Sequence, residues 1–439
     1  MTLTRRNLFL AAAAGVLSRG EMIVRSSKPQ DLEMPLDGFV PWITPVDQFF
    51  IRTHTYTPSI DLAQWKLQVD GLVGQPLTLT LDELKKMPRV ELVSVLECAG
   101  NGRSFYQPRM PGAQWAHGAV GNGRWAGVRL GDVLKKAGLK DGAKELLLDG
   151  ADVPLGTMPD FQRTIPVAKA MHPDTLLAYA MNGKPLSLEH GYPLRLIAPG
   201  WAGDSWVKWL QHITVLDKEF DGFWMKTAYR HPPKPVAPGT AVDPAQMVPV
   251  TDLNVKSVIA APVNWSKPGP VKVRGAAWSN SSPVTKVEVS VDFGKTWQNA
   301  HLGSEHTQYS WRLWELTWKA AEGKYVLLAR ATNAAGETQP MDQPWNPSGY
   351  LWNTVQRADL VVSKENPPQP PPPQPEAPPA YPDGYRAACL GCHDETPMRQ
   401  QRITRTQWDR EIDKMVRWGS PLKADQRPGI LEYLAGRFK

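Results

Sequence analysis

The run Cys389-Leu390-Gly391-Cys392-His393 has the C-x-x-C-H form that attaches haem covalently. The two thiols add to the haem vinyl groups, and the adjacent histidine is thereby placed to ligate iron from one side. A zinc reading would need further Cys or His ligands nearby, and the other histidines stop at His306. The motif therefore predicts a haem c bound through Cys389 and Cys392, with His393 on the iron. The sixth ligand should come from a later helix. Met415 is the favoured candidate, since a thioether raises the potential and suits electron transfer. Packing of Met415 with Trp408 and Ile412 is the alternative. Met398 follows His393 too closely to be expected on the opposite haem face.

Cys98 is the one remaining cysteine. Three cysteines are too few for a disulfide scaffold, and two of them are taken by the haem motif. Cys98 follows a strand-like stretch, 90–96, and opens the turn Ala99-Gly100-Asn101-Gly102-Arg103. A strand end at a Gly/Asn turn presents a side chain to a ligand. A buried structural thiol is the other reading of the same surroundings.

Several elements must position these groups. Residues 35–245 read as a mixed α/β domain. In it Thr80-Leu-Asp-Glu83 is a capping box, and Leu130, Val133, Leu134 and Ala137 share one helical face that Gly138 closes. Residues 250–363 change to short alternating strands, such as Val287, Val289 and Val291 between polar neighbours. About seven of them are expected, as an Ig-like β-sandwich. A Pro-rich linker, 364–384, reads as polyproline II. Residues 385–439 form a small all-α unit, with Thr406-Gln-Trp-Asp409 as its capping box. The expected fold class is α+β.

Residues 1–28 read as a signal region: Arg5-Arg6 precede a short apolar run, the pattern of twin-arginine export to the periplasm. No later segment is long and apolar enough to span a membrane. The net charge of +7 is spread out, without the Lys/Arg run of a nucleic-acid binder, and fits an anionic substrate or partner.

Longer motifs carry a resemblance. Glu97-Cys98-Ala99-Gly100-Asn101, Gly123-Arg124-Trp125-Ala126-Gly127-Val128, Glu189-His190-Gly191-Tyr192-Pro193-Leu194-Arg195 and Val207-Lys208-Trp209-Leu210 resemble the sulfite oxidase family of molybdenum enzymes. The similarity also takes in Phe49-Phe50-Ile51-Arg52-Thr53-His54 and continues through the sandwich in the family's order. It implies that Cys98 is the thiolate ligand of molybdenum held by a molybdopterin. It further implies that His54, Asp152, His190, Arg195, Trp206, Val207 and Lys208 hold the pterin and its phosphate. Arg52, Arg103 and Tyr229, with Trp115, would form the pocket for a small anion such as sulfite. One departure from animal members is Ser348, where they carry an anion-binding arginine.

The resemblance implies a molybdenum-dependent sulfite dehydrogenase that is a homodimer through its sandwich. Its electrons would leave through the haem to an external cytochrome c. A sulfane dehydrogenase or a reductase on the same scaffold is the first alternative. A non-catalytic cytochrome whose large domain is a docking scaffold is the second.

Overall fold

The computed structural model describes residues 21–367 and 380–438. The paired arginines of the leader and most of the Pro-rich linker lie outside the described residues. The first domain is built on two five-stranded sheets. One runs Lys184–Pro185, Leu176–Met181, Val120–Arg129 and Val90–Glu97, with Arg195–Ile197 also pairing to Leu176–Met181. The other runs Leu77–Leu79, Leu67–Gly71, Leu210–Leu216, Glu145–Gly150 and Gln162–Pro166. Leu67–Gly71 and Leu210–Leu216 pair in parallel, which brings distant parts of the chain side by side.

Local sequence signals account for the helices. Thr80 caps Leu81–Lys85 through its hydroxyl on the Glu83 N–H, and the Glu83 carboxylate returns to the Thr80 N–H. In Leu130–Ala137 the expected face is wholly buried, and Gly138 ends the helix at φ 70°, a left-handed conformation in which a side chain is strained.

The second domain is a sandwich of a four-stranded and a five-stranded sheet. Six of its strands have six residues or more, and they carry the alternating pattern. Three more, Asn264–Ser266, Gln298–Asn299 and His301–Leu302, have two or three residues each, too short to show a period. The expectation of about seven strands thus becomes nine.

Two other readings are corrected. The hairpin Ile23–Ser27 with Gln30–Glu33 lies ahead of the expected domain start and partly inside the region read as signal, yet it belongs to the folded body. Leu32 exchanges backbone hydrogen bonds with Ile51, and Asp31 and Glu33 are buried. In the last unit the capping box is Thr404 with Gln407, so Thr406 falls inside the helix Arg405–Arg417. Gln407 at the third helical position reaches back to the cap, a geometry Asp409 cannot reproduce from further along. No helix among the described residues is long and apolar enough to cross a membrane.

The two large domains share a core. Val95, Ala99, Trp224 and Tyr229 of the first pack with Val258, Ala276, Trp278 and Trp311 of the second. Within this seam the buried Glu97 carboxylate accepts hydrogen bonds from Asn101 (2.8 Å) and Trp278 Nε1 (2.7 Å), and pairs with the Lys256 ammonium. Both ions are almost fully buried, so removing one strands the other in low dielectric. Lys256→Met is expected to destabilise the protein by about 3–5 kcal/mol in denaturant melts, and adding Glu97→Gln should recover part of that loss.

Candidate active site

Cys98 follows immediately on the strand Val90–Glu97, and its N–H donates to the Ala119 carbonyl at 2.9 Å. The thiol is half-buried, and burial pushes its pKa up while Arg52 and Arg103 pull the other way. It sits at the junction of two cavities. One is a slot bordered by Cys98 and by all seven residues that the resemblance assigns to the pterin: His54, Asp152, His190, Arg195, Trp206, Val207 and Lys208. The other, of about 360 Å³, is bordered by Cys98, Arg52, Arg103, Trp115, Tyr229 and Ser348. The structure therefore brings together residues from eight separate stretches of chain.

The slot gathers the cationic side chains Arg52, Arg195 and Lys208 among the carboxylates Asp152, Glu189 and Asp204. Arg195 donates to the carbonyls of His190 (2.9 Å) and Trp206 (3.1 Å), and burial lowers its pKa to about 9. Lys208 Nζ donates to the Glu189 carbonyl at 3.0 Å and is lowered by burial to about 7. His190 is lowered to about 4 by burial, with Arg195 adding to the effect. Gly191 makes this clustering possible: at φ 103° an added Cβ would lie 3.1 Å from the Cβ atoms of both Arg195 and Lys208. Arg195 Nε has no hydrogen-bond partner among the described residues. Buried cations with spare donors are suited to a phosphate-bearing anion, so this donor set fits a molybdopterin. No group of three or more His, Cys, Asp or Glu able to hold a metal occurs among the described residues. A metal here would be held by one protein thiolate and by ligands it brings.

Around the second cavity, Arg52 is fixed by a bidentate contact to Asp31 (3.0 and 3.1 Å) and by the Thr53 carbonyl. Tyr229 sits at φ 53°, a costly conformation for a non-glycine residue. Its hydroxyl is 2.7 Å from His54 Nε2, and burial raises its pKa well above the usual value. Burial also holds His54 well below its ordinary range, with Arg52, Lys208 and Arg163 adding to it. A neutral imidazole protonated on Nδ1 has its Nε2 lone pair free to accept from the phenol. Tyr229 stacks on Tyr350, whose ring lies 4.8 Å from the Arg103 guanidinium, and an Arg103 N–H donates to the Ser348 carbonyl at 3.5 Å. Trp115 is fully buried and walls the base. Asp31, Arg163, Asp204 and Tyr350 escaped sequence reasoning. None sits in a motif singled out above.

The C-terminal unit closes this side. Between its helices Tyr385–Cys389, Thr396–Arg399, Arg405–Arg417 and Arg427–Arg437 and the first domain, which contributes Arg25, Asp31, Arg52 and Gln114, lies a cavity of about 240 Å³. Cys389, His393, Met398 and Met415 border it, with Trp408, Ile412, Ile430 and Leu434 as apolar wall. Cys392 borders the larger cavity beside Arg103 and Tyr229. His393 Nδ1 is 2.8 Å from the Asp394 carbonyl. A carbonyl only accepts, so Nδ1 carries the proton and Nε2 keeps its lone pair for a metal. Two thiols, such an imidazole, thioethers and an apolar wall are a donor set that fits a haem. Met398, set aside on sequence distance, is on the cavity wall after all, where its sulfur accepts from the Tyr385 hydroxyl at 3.6 Å. The break between the short helices carries it back toward the cavity.

The unit docks on the first domain of its own chain. Tyr56 donates to the Cys392 carbonyl (3.0 Å), Thr157 to the Arg417 carbonyl (2.7 Å), and Gln401 to the Gly112 carbonyl (2.9 Å).

Residues 54–224 match the family described as Oxidoreductase molybdopterin binding domain, and residues 247–362 match Mo-co oxidoreductase dimerisation domain. The chain is 36% identical to the mitochondrial sulfite oxidase of Homo sapiens over 360 residues, which is 77% of this chain and 66% of that protein. It is 30% identical to the sulfite oxidase of Arabidopsis thaliana over 373 residues, 78% of this chain and 94% of that one. The solved structure of the sulfane dehydrogenase SoxCD from Paracoccus pantotrophus superposes with a TM-score of 0.68 at 27% identity, covering 81% of this chain and 94% of that chain.

Lys208 gives a pH signature. Its folded pKa of about 7 lies below the ordinary 10.5, so between these values the unfolded chain binds the extra proton and stability rises with pH. Below about 7 the burial penalty is complete. Cofactor-free protein should therefore melt at a lower temperature than its Lys208→Met variant at pH 7, and the gap should narrow as the pH rises toward 10.

Proposed function

Because the chain belongs to the sulfite oxidase family of molybdopterin oxidoreductases, we propose that it is a sulfite dehydrogenase with a built-in electron exit. It oxidises sulfite to sulfate at the molybdenum cofactor, and the electrons leave through a haem c in the C-terminal unit to an external cytochrome c or a similar acceptor. The observation that carries this reading is the single cavity that Cys98, Arg52, Arg103 and Tyr229 share with Cys389, Cys392 and His393. The twin-arginine pattern at Arg5-Arg6 supports export to the periplasm, and the dimerisation domain supports a homodimer.

When bound, the molybdenum cofactor supplies oxygen-atom transfer and two-electron redox chemistry, and the haem supplies a one-electron outlet. The chain's residues do the rest. Arg52 and Arg103 hold the substrate dianion by charge and directed N–H groups. Tyr229, donating to His54, offers its phenol oxygen at the cavity wall and can pass a proton to and from the imidazole. Trp115 excludes water from the base of the cavity. Arg195 and Lys208 would hold the cofactor's phosphate, and His393 Nε2 and Met415 would hold the haem iron.

Sulfane oxidation is a second reading, supported by the likeness to SoxCD. The C-terminal unit borders the same cavity, so either substrate would react beside Cys389, Cys392 and His393. Turnover of sulfite against thiosulfate separates the two readings.

Mixing the oxidised protein with sulfite in a stopped-flow instrument should reduce the haem α-band within one turnover. A haem that stays oxidised under sulfite would end this reading. Cys98→Ser should keep its haem spectrum, lose molybdenum and show no reduction. Arg103→Met should lower kcat/KM for sulfite by roughly 30-fold or more, the cost of removing one partner of a buried charge contact. Redox titration should show a lower haem potential in Met415→Ala than in Met398→Ala, because loss of the ligating thioether removes what raises it.

A further inference from the structure

Behind Tyr229, formed by residues to which the resemblance assigns no role, lies a second buried ion pair. Arg163 stands on the edge strand Gln162–Pro166 and Asp204 on the short helical turn Gly203–Ser205, which leads into Trp206-Val207-Lys208. Arg163 Nη2 donates to Asp204 Oδ2 at 2.6 Å, and each side chain is 1% exposed. A second N–H of Arg163 donates to the Trp224 carbonyl. The guanidinium carbon lies 5.2 Å from the centre of the Tyr229 ring. Arg163 Nε and Asp204 Oδ1 have no hydrogen-bond partner among the described residues. Asp204 borders the slot beside Cys98.

An incompletely satisfied, fully buried ion pair is a poor way to gain stability, since desolvation offsets its attraction. Its geometry points elsewhere. Arg163 lies over Tyr229, Tyr229 stacks on Tyr350 at 5.3 Å, and Arg103 lies over Tyr350, so four side chains form one cation–aromatic series ending on the substrate cavity. Trp224, whose carbonyl Arg163 holds, packs edge-on against His54 at 4.8 Å. Arg163 thus touches both the ring of Tyr229 and the support of its hydrogen-bond partner. Tyr229 itself is held at a positive φ that its surroundings must impose.

We propose that Arg163, anchored by Asp204, is a positioning residue that fixes the Tyr229 phenol against His54 and Tyr350 and so sets the anion site. It contacts neither substrate nor cofactor and acts through Tyr229. The inference rests on reading Tyr229 as a substrate-pocket residue.

Crystal structures of Arg163→Met, and of Arg163→Met with Asp204→Asn to avoid a lone buried carboxylate, test the positioning whatever the substrate. The Tyr229 hydroxyl should leave His54 in both; a Tyr229 that keeps its place in either overturns the proposal. A double-mutant cycle on sulfite kcat/KM reads the consequence. Arg163→Met should cost about tenfold when Tyr229 is present and less than twofold in a Tyr229→Phe background. An equal loss in both backgrounds would mean a merely structural pair. If the wild-type chain does not turn over sulfite, the functional reading falls, while the crystallographic result still decides the positioning.

Discussion

The carboxylate of Glu97 is the point on which the site depends. It belongs to the residue before Cys98, yet its partners Lys256 and Trp278 stand on the sandwich strands Lys256–Ala261 and Gly269–Trp278. Through Asn101, whose side chain also accepts from the Ala119 N–H at 3.1 Å, the same carboxylate braces the turn that presents the thiol. The seam between the domains is thus part of the apparatus that aims Cys98. A purely apolar seam would hold the domains together as firmly, but it would not fix the direction of a strand end.

Around that fixed point the protein gathers like charges. Arg52, Arg195 and Lys208 lie near one another at a depth where each pays a desolvation cost, and Asp31, Asp152 and Glu189 answer them. Burial keeps His54 and His190 neutral, so the histidines add no charge to the cluster. Three gathered cations with N–H groups to spare suit an anionic ligand.

Legibility in the sequence followed the range of each interaction. Cys389, Cys392 and His393 can be grouped from sequence because they are near neighbours in the chain, and the structure places all three on one cavity. Leu130, Val133, Leu134 and Ala137 were readable because a helix repeats within a few residues. Cys98 and the residues of the slot became specific only through long motifs. Asp31, Arg163 and Asp204 were not readable, because each matters through a partner that only folding brings near: Asp31 through Arg52, and Arg163 through Asp204 and Tyr229. The strands of two or three residues were lost for a different reason, since a period needs more positions than they have. The capping box was misplaced by two residues because both threonines there satisfy a loose pattern, and only the return hydrogen bond of Gln407 distinguishes them.

The contacts that seat the C-terminal unit are of a plain kind. Hydroxyl and amide side chains meet backbone carbonyls, and at Gly156 and Gly419 the two backbones approach so closely that a Cβ on Gly419 would lie 3.4 Å from the Gly156 Cα. Where charge enters, at Asp394, which accepts from the Ser27 N–H at 2.9 Å, and at Arg25, which donates to the Gln400 side chain at 3.4 Å, it meets a neutral partner, so dissolved ions screen these contacts little. Nor do they draw the unit in from afar. Covalent connection makes such recruitment unnecessary, because a tethered partner is present at a high local concentration however dilute the protein becomes. The seated arrangement should therefore be as well populated in a brackish or fluctuating medium as in a dilute one, a robustness that a separately diffusing, charge-guided partner would lack.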